Sequence, residues 1–314
     1  MSTMIQIGRR EVQISRPEKT LFPSGITKAD LARYYEQVAD VMLPHLAGRP
    51  LNLERYPDGV QGKRIIQQRA GKHFPSWIKR VRVPTASGAA EHVVAGDAAT
   101  LVYLADQACI TIHPWLSRAD RLDRPDRLIL DLDPSNGKPA DVRRGARIVG
   151  DLLRELGLEP WAMTTGARGY HVAVPLKRQA GFDAVREFAN GLATLAAIRE
   201  PRLFTTEQRK ARREGRILID VMRNTYGHTA VAPYAVRARS DAPVATPLRW
   251  DELNDTKTRP DRWTLGTVAR RLERGGDPWK QIGKHAETIT RASRLLEQTL
   301  ANACANSLGA SAGR

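Results

Sequence analysis

The 314-residue sequence has only two cysteines, no long apolar run and no signal peptide. Cys109 and Cys304 can neither form a disulfide framework nor supply a CxxC zinc site, and we assign neither a role. No apolar run approaches the roughly 18 residues that a membrane helix needs. The start of the chain, MSTMIQIGRREVQIS, lacks the apolar core of a secretory signal. These absences exclude a disulfide scaffold and a membrane protein, and they predict a cytoplasmic location.

Acidic side chains are scarce relative to basic ones. The chain has 50 Lys and Arg against 34 Asp and Glu, which gives a net charge of +16. Residues 54–82 and 202–239 together carry +12 of that excess. Clustered positive charge favours a polyanionic partner, because neutralising phosphates releases condensed counterions. The alternative is a solvated, arginine-rich surface without such a partner.

The overall composition is that of a globular protein, with 41% apolar and 27% charged residues. Helical spacing and strand-like alternation follow one another and predict the α/β class with mixed sheets. We find no internal repeat or long linker, and we expect a single domain of two intimate lobes over 1–304 and a flexible tail over 305–314. The main predicted helices are 27–46, 75–80, 140–156, 182–198, 206–214, 264–274 and 286–302, and the later strands are 128–134, two within 161–176, 216–222 and 229–239.

Three aspartates on predicted strands form a candidate metal site. Asp131 and Asp133 are two residues apart in LILDLDP, so both side chains leave the same face, about 6.6 Å apart along the strand. Asp220 repeats the pattern in RILIDVM. Such carboxylates can hold two magnesium or manganese ions for phosphoryl transfer. The alternative is that the DLD segment ends a strand and its aspartates cap the turn before Pro134.

The turn TTGARGYHV is a candidate triphosphate site. Its glycines let backbone amides approach an anion, and Thr165, Arg168 and His171 can donate to phosphate oxygens. It lacks the GKS/T ending of a P-loop and does not begin a helix, which disfavours ordinary NTPase machinery. The alternative is a tight hairpin whose glycines serve only the turn.

Further polar residues follow in two other strand-like segments. Arg237 and Arg239, in PYAVRAR, are two residues apart and would share one face near the aspartates, with a polyphosphate between them. Ion pairs with those aspartates are the structural alternative. His113, in ITIHPW, is either a polar contact at a strand end or a satisfied histidine.

Taken in order, DLDP, TTGARGYHV, IDVMRN and PYAVRAR resemble the archaeo-eukaryotic primase superfamily. Within it, the chain is most similar to the polymerase domain of bacterial DNA ligase D and its stand-alone relatives. The resemblance runs from about Ser15 to Pro278. It implies a two-lobed catalytic core with an RRM-like sheet, and an enzyme that extends DNA ends or fills gaps, preferring ribonucleotides with manganese.

The resemblance also implies roles for individual residues. Lys19 and Lys28 match a pocket for the 5′-phosphate of gapped DNA, and Asn224 has a supporting role. The metal ligands for two Mn²⁺ or Mg²⁺ ions would be Asp131, Asp133 and Asp220, and the nucleotide would contact His113, Thr165, Arg168, His171, Arg237 and Arg239.

Some positions depart from the family pattern. Ile65 and Ile66 stand where two phenylalanines are usual, which removes a stacking platform worth about 1–3 kcal/mol per base. Phe74 or Trp77 is the candidate replacement. Glu54 stands where lysine is common and reverses the charge there.

The sequence therefore predicts a template-directed nucleotidyltransferase that adds nucleotides, preferably ribonucleotides, to DNA 3′ ends at gaps or breaks during repair such as end joining. Its expected partners are NTP or dNTP, gapped, nicked or broken DNA with a 5′-phosphate, and a DNA ligase or end-binding protein. We expect it at the nucleoid. The alternatives are a two-metal nuclease, a glycosyltransferase, and a DNA-end-binding module with weakened catalysis. Intact Asp131, Asp133 and Asp220 argue against the last.

Overall fold

The computed structural model of the chain describes residues 2–85, 88–135 and 138–312, with side chains as far as residue 303. The helices in this part of the chain are α1 Lys28–Gln37, α2 Ala39–Leu46, α3 Ala98–Asp106, α4 Pro139–Glu155, α5 Phe182–Arg199, α6 Val268–Gly275 and α7 Thr290–Ala312. The strands are β1 Ser2–Ile7, β2 Arg10–Ser15, β3 Leu51–Arg55, β4 Ile65–Gln67, β5 Arg80–Thr85, β6 Gly88–Val93, β7 Cys109–Pro114, β8 Ser117–Arg118, β9 Arg121–Pro125, β10 Arg127–Pro134, β11 Trp161–Thr164, β12 Tyr170–Pro175, β13 Phe204–Thr205 and β14 Ile217–Asp220.

The first lobe is a sheet covered by helices and a hairpin. Its strands run in the order β4-β3-β6-β5, and β7 pairs with β3. The β1–β2 hairpin and α1 pack on α3. Thr27 begins α1 with a capping box, in which its hydroxyl accepts from the backbone of Asp30 and the Asp30 carboxylate accepts from the backbone of Thr27. The helix predicted over 27–46 is two helices, because the chain breaks at Val38.

The second lobe is a five-stranded sheet in the order β11-β12-β10-β14-β13. Its pairs are antiparallel except β13 with β14. Helices α4 and α5 pack against this sheet and against each other. On β10, Leu128, Leu130 and Leu132 are fully buried, and the alternate residues belong to the opposite face. One face of the central strand is therefore apolar core, and the other is free for polar chemistry.

The segment after β14 crosses between the two lobes. The amide of Ala232 donates to Ile112 of β7, and the amide of Thr246 donates to Thr164 of β11. Further along, Asp277 accepts a hydrogen bond from Tyr234 and lies 2.8 Å from Nε2 of His45. These bonds fix the first lobe against the second and leave a cleft between them.

Three predicted elements are wrong. Residues 229–239 make isolated bridges instead of a strand, because successive amides bond to different parts of the fold. Residues 75–79 form a turn and a bend instead of a helix, and Arg80 already begins β5. The basic helix predicted over 206–214 is only a 3-10 turn at Lys210–Arg212.

The α/β prediction with mixed sheets is confirmed by these elements. In the part of the chain that the structure describes, no helix has the length and apolar character needed to cross a bilayer. The tail predicted over 305–314 lies outside the residues with described side chains, and its backbone belongs to α7 as far as Ala312. Its flexibility and the single domain over 1–304 stay predictions.

Candidate active site

The three predicted metal ligands lie side by side on the open face of the second sheet. Asp131 and Asp133 lie on β10, and Asp220 ends β14 directly opposite Asp131 in the antiparallel register. Directly opposed side chains have Cβ atoms about 5 Å apart, and like charges so placed repel. The arrangement therefore requires positive charge close by.

Two positive or polar side chains contact Asp131. Arg223 Nη2 lies 3.2 Å from its Oδ2, and His171 Nε2 lies 3.5 Å from its Oδ1. His171 stands opposite Asp131 on β12, so a row of His171, Asp131 and Asp220 crosses three strands. Burial alone would raise the pKa of Asp131, but His171 and Arg223 hold that pKa well below its ordinary value. Asp131 is therefore a carboxylate at neutral pH.

The other two carboxylates are also engaged. Asp133 is 3.0 Å from Arg213 and 3.9 Å from Arg168. Arg213 also donates to the carbonyls of Glu207 and Gln208, so it holds its loop onto Asp133. Asp220 accepts a hydrogen bond from the amide of Met222 at 2.8 Å. Ion pairs with arginine thus exist at two of the three aspartates. Among the described residues they involve Arg168, Arg213 and Arg223, and not Arg237 or Arg239, for which the sequence left such pairing open.

The β11–β12 turn closes on itself. The hydroxyl of Thr165 donates to the carbonyl of Gly169 at 3.0 Å and also lies 3.3 Å from the Gly169 amide. Gly166 has a positive φ of +64°, and a Cβ there would meet Arg237 and the backbone at Val244. The turn needs glycine at this position for both reasons.

His113 and Glu54 form a pair at the rim of the first lobe. His113 Nε2 lies 3.2 Å from Glu54 Oε2, and the hydroxyl of Tyr56 donates to Glu54 Oε1 at 2.7 Å. Burial tends to raise the pKa of Glu54, but hydrogen bonds from His113 and Tyr56 lower it to about 2. Glu54, which sequence analysis identified only as a charge reversal, is thus bonded to His113 of the site.

All nine predicted metal and nucleotide residues line a single pocket of about 320 Å³ between the lobes. The pocket brings together side chains up to 126 positions apart in sequence, from His113 to Arg239. Its lining consists of the predicted His113, Asp131, Asp133, Thr165, Arg168, His171, Asp220, Arg237 and Arg239, together with Leu132, Ala167, Gly169, Arg223 and Val231. The structure thus co-locates these residues, and their individual roles stay predictions.

The predicted 5′-phosphate lysines lie outside this pocket. A backbone hydrogen bond joins Lys28 to Lys19, so the two residues are neighbours. Lys28 is buried, and its Nζ bonds to Ser15 Oγ at 3.1 Å and Asp106 Oδ1 at 3.2 Å. Among the residues with described side chains, the ion-pair partner of Lys19 is the exposed Asp58, at 3.3 Å. Lys19 is therefore the more accessible of the two to a phosphate.

The apolar positions near the rim differ in exposure. Ile65 and Ile66 are exposed on β4, where Ile66 pairs with Glu54. Phe74 is buried against Tyr103, and Trp77 lies under the guanidinium of Arg10 at 4.8 Å. Phe74 is thus inaccessible to a base, and the exposed apolar pair at the rim is aliphatic.

Arg223, Arg213 and Glu54 were missed by sequence reasoning. Arg223 is three residues after Asp220, so a basic residue beside the last carboxylate was an available signal. Arg213 gave none, because its contact with Asp133 spans 80 positions and arises from an irregular loop. Asn224 is buried and bonds both backbone groups of Ile129, which holds β10 in place.

The donor set fits hard divalent cations, which prefer carboxylate oxygen. Asp131 stays ionised, and its like-charged neighbour Asp220 would gain from a shared cation. Among the described residues, however, no group of three His, Cys, Asp or Glu side chains already converges as a metal cage. The positive charge is supplied instead by Arg223 at Asp131 and by Arg213 at Asp133.

Comparison with known proteins gives consistent matches across most of the chain. The family model described as "LigD, primase-polymerase domain" matches residues 27–279. The chain is 33% identical over 287 residues to the multifunctional non-homologous end joining protein LigD of Pseudomonas aeruginosa, covering 90% of this chain and 34% of that protein. It is 31% identical over 295 residues to the corresponding DNA repair protein of Mycobacterium tuberculosis, covering 91% and 39%. It thus spans little more than a third of these relatives.

The fold is also similar to a solved structure. The polymerase domain from Mycobacterium tuberculosis Ligase D in complex with DNA superposes with a TM-score of 0.82 at 30% identity, covering 88% of this chain and 99% of that one. The predicted resemblance and the predicted two-lobed α/β core are therefore confirmed.

Proposed function

Because this chain belongs to the family of LigD primase-polymerase domains, we propose that it is a template-directed nucleotidyltransferase acting on DNA 3′ ends. Its setting would be gap filling or end joining in the cytoplasm, at the nucleoid. The DNA bound in the similar solved structure supports DNA as the partner, and so does the net charge of +16. A DNA ligase or end-binding protein is the further partner that such repair requires.

One observation carries this proposal. A single pocket holds three carboxylates on one sheet face and, around them, the guanidinium groups of Arg168, Arg237 and Arg239. Carboxylates alone would suit many metal-dependent hydrolases. These arginines, together with Arg223 in the same lining, suit a substrate with several negative charges, such as a nucleoside triphosphate.

The proposed reaction forms a bond from the primer 3′ oxygen to the α-phosphorus and breaks the bond from that phosphorus to pyrophosphate. Asp131, Asp133 and Asp220 would hold two Mg²⁺ or Mn²⁺ ions. When bound, such ions activate the attacking hydroxyl and stabilise the leaving oxygen. The residues of the chain position the reactants: the arginines bind the triphosphate and neutralise the charge on departing pyrophosphate.

The DNA side of the proposal relies on residues outside the pocket. Lys19 would bind the 5′-phosphate across a gap, next to the buried Lys28. Arg209, Lys210 and Arg212 are exposed on the loop that Arg213 fixes to Asp133. This loop would bring positive charge to the DNA backbone close to the carboxylates.

Primer extension on gapped DNA tests the function directly. A labelled primer opposite a short gap is incubated with rNTP or dNTP and with Mn²⁺ or Mg²⁺. We expect template-matched addition that stops when the divalent ion is chelated. Shortening of the primer without any nucleotide would identify a nuclease, and binding without either reaction would identify an end-binding module. Either result would overturn the proposal.

The preference for ribonucleotides is a finer part of the proposal, with His113 near the sugar. A 2′-hydroxyl both donates and accepts hydrogen bonds, and a site built to bond it rejects the sugar that lacks it. We expect kcat/KM to be higher for rNTP than for the matched dNTP, and His113→Ala to narrow the ratio by weakening ribonucleotide use. A wild-type preference for dNTP would contradict this part alone.

A further inference from the structure

Glu54 lies on β3, opposite Thr111 of β7, and its carboxylate reaches diagonally to His113. Its side chain is 11% exposed, and the neighbouring Arg64 approaches only to 3.6 Å. The short contacts of Glu54 are with His113 and Tyr56. His113, which lines the pocket, is therefore the pocket residue that Glu54 contacts by a hydrogen bond.

The hydrogen-bond roles in this pair follow from its charge state. With its pKa lowered to about 2, Glu54 is a carboxylate at neutral pH and can only accept. Burial and the nearby Arg237 lower the pKa of His113, although Glu54 partly opposes them, so the ring is neutral. The Nε2 atom facing Glu54 must then carry the hydrogen, and Nδ1 must be bare. Among the described residues, Glu54 is the only hydrogen-bonding partner of the ring.

We propose that Glu54 is a positioning residue that fixes His113 in the Nε2–H tautomer and so presents Nδ1 to the pocket as a hydrogen-bond acceptor. The group that Nδ1 suits is a hydroxyl that donates, such as the 2′-hydroxyl of a ribonucleotide. A deoxyribonucleotide would leave Nδ1 without a donor. This inference rests on the proposed function for its ligand, but the tautomer itself is a property of the free protein.

The first test reads the tautomer directly. In protein labelled with ¹⁵N-histidine, the two ring nitrogens differ strongly in chemical shift according to which one carries hydrogen, and His113→Ala identifies the signals. We expect a protonated Nε2 and a bare Nδ1 in the wild type. In Glu54→Gln the amide can donate or accept, so we expect the two tautomers to mix. A wild-type ring with hydrogen on Nδ1 overturns the inference, whatever the Glu54→Gln variant does.

The second test measures sugar choice. We expect Glu54→Gln to reduce the ratio of kcat/KM for rNTP over dNTP by about fivefold to tenfold, with the loss in ribonucleotide use. Tyr56→Phe is the matched control, because it removes the other hydrogen bond to Glu54 and leaves the contact with His113. Its ratio should stay at the wild-type value.

The outcomes separate this inference from the proposed function. If Glu54→Gln extends primers with an unchanged ratio and unchanged ¹⁵N shifts, Glu54 does not position His113, although the polymerase function stands. If Tyr56→Phe lowers the ratio as much as Glu54→Gln, the effect is structural and the inference is wrong. If the wild type extends no primer, the proposed function fails, and the ¹⁵N shifts still decide the tautomer.

Discussion

The charge state of individual carboxylates in this pocket depends on the positive groups that lie beside them. Asp131 receives hydrogen bonds or ion pairs from Arg223 and His171, while Asp220 stands directly opposite it. The pKa of Asp131 is therefore held low by the positive groups that lie close to it. Removing one carboxylate changes the charge of the site and leaves the fold of β10 intact, because β10 is held from its apolar face.

Asp131→Ala should abolish nucleotide addition and leave DNA binding within about twofold. Loss of a metal ligand removes several kcal/mol of transition-state stabilisation, which corresponds to a rate at least about 10³-fold lower. The measurement is single-nucleotide extension beside a fluorescence titration with gapped DNA. Asp123→Ala, at an exposed carboxylate, is the control. Full activity in Asp131→Ala would refute the metal assignment, and equal loss of binding would indicate misfolding.

Substitution of the two lysines predicted to bind the 5′-phosphate should have different effects. Lys19 is paired with an exposed carboxylate, so Lys19→Ala should reduce the preference for 5′-phosphate over 5′-hydroxyl gapped DNA at low salt. Removing Lys28 would instead take away the ion-pair partner of the buried Asp106, which keeps its hydrogen bonds from Ser15 and Gln107, at a cost of about 3 kcal/mol in stability. Competition binding with the two DNAs measures the preference, and Lys284→Ala is the control. Equal affinity of the wild type for both DNAs would remove the end-recognition role.

At the scale of elements, the β11–β12 turn packs against the central strand. A Cβ on Gly169 would clash with the carbonyl oxygen of Leu132, which lies between Asp131 and Asp133. Backbone cannot yield as a flexible side chain can. The turn and the face of β10 that carries Asp131 and Asp133 are therefore held at a fixed separation.

Gly169→Ala should shift the turn away from β10, destabilise the protein by about 1–3 kcal/mol and weaken NTP binding. Urea unfolding and the KM for NTP are the two measurements. Gly181→Ala provides the control, because the nearest atom to a Cβ there is 3.8 Å away. Unchanged stability and unchanged KM in Gly169→Ala would show that the close approach has no consequence.

Elements with strong local patterns could be predicted from the sequence, and those made by tertiary contacts could not. The apolar run around Asp131 and Asp133 predicted β10, and the register then placed Asp220 beside them. Residues 229–239 have the same alternating pattern, yet their amides bond first to β7 and then to the later segment 243–245, so no single strand partner accompanies them. Arg237 and Arg239 reach the pocket all the same, although not because they share a strand face.

The pair of Glu54 and His113 shows that contacts within the site that depend on tertiary structure could not be predicted from the sequence either. His113 was predicted from a resemblance, whereas Glu54 is 59 positions away on another strand, and only the β3–β7 register brings the two together. Long-range pairs of this kind have no signal in local periodicity. The pocket residues that lie in sequence motifs could therefore be predicted. The residues that form ion pairs and hydrogen bonds with them could not.

At the scale of the whole molecule, buried ion pairs join the lobes. Asp126, just before β10, is 2.7 Å from Arg49 after α2 and 2.8 Å from Arg118. Burial would raise the pKa of Asp126, but Arg49 and Arg127 bring it down to about 2. Because the folded pKa is below that of the unfolded chain, this carboxylate stabilises the fold above about pH 4. The contribution, about 2 kcal/mol, is lost as the pH falls toward 2.

Asp126→Asn should therefore lower the free energy of unfolding at pH 6 by at least about 2 kcal/mol, and the difference from the wild type should shrink below pH 4. Urea unfolding at a series of pH values measures both. Asp123→Asn, whose side chain is largely exposed, should track the wild type throughout. A difference that is independent of pH would assign the effect of Asp126 to packing instead of charge.

The direct opposition of Asp131 and Asp220 also affects which register of β10 and β14 is favoured during folding. A slip of one residue between β10 and β14 would turn Leu132 into the cleft and press both β10 aspartates against α4 and α5. Burying carboxylates there without partners would cost several kcal/mol each. The charges proposed to perform the chemistry thus also penalise the misaligned sheet during folding. Replacing these aspartates by neutral residues should reduce the free-energy difference between the native register and the slipped register. This holds even for a variant whose native state is more stable.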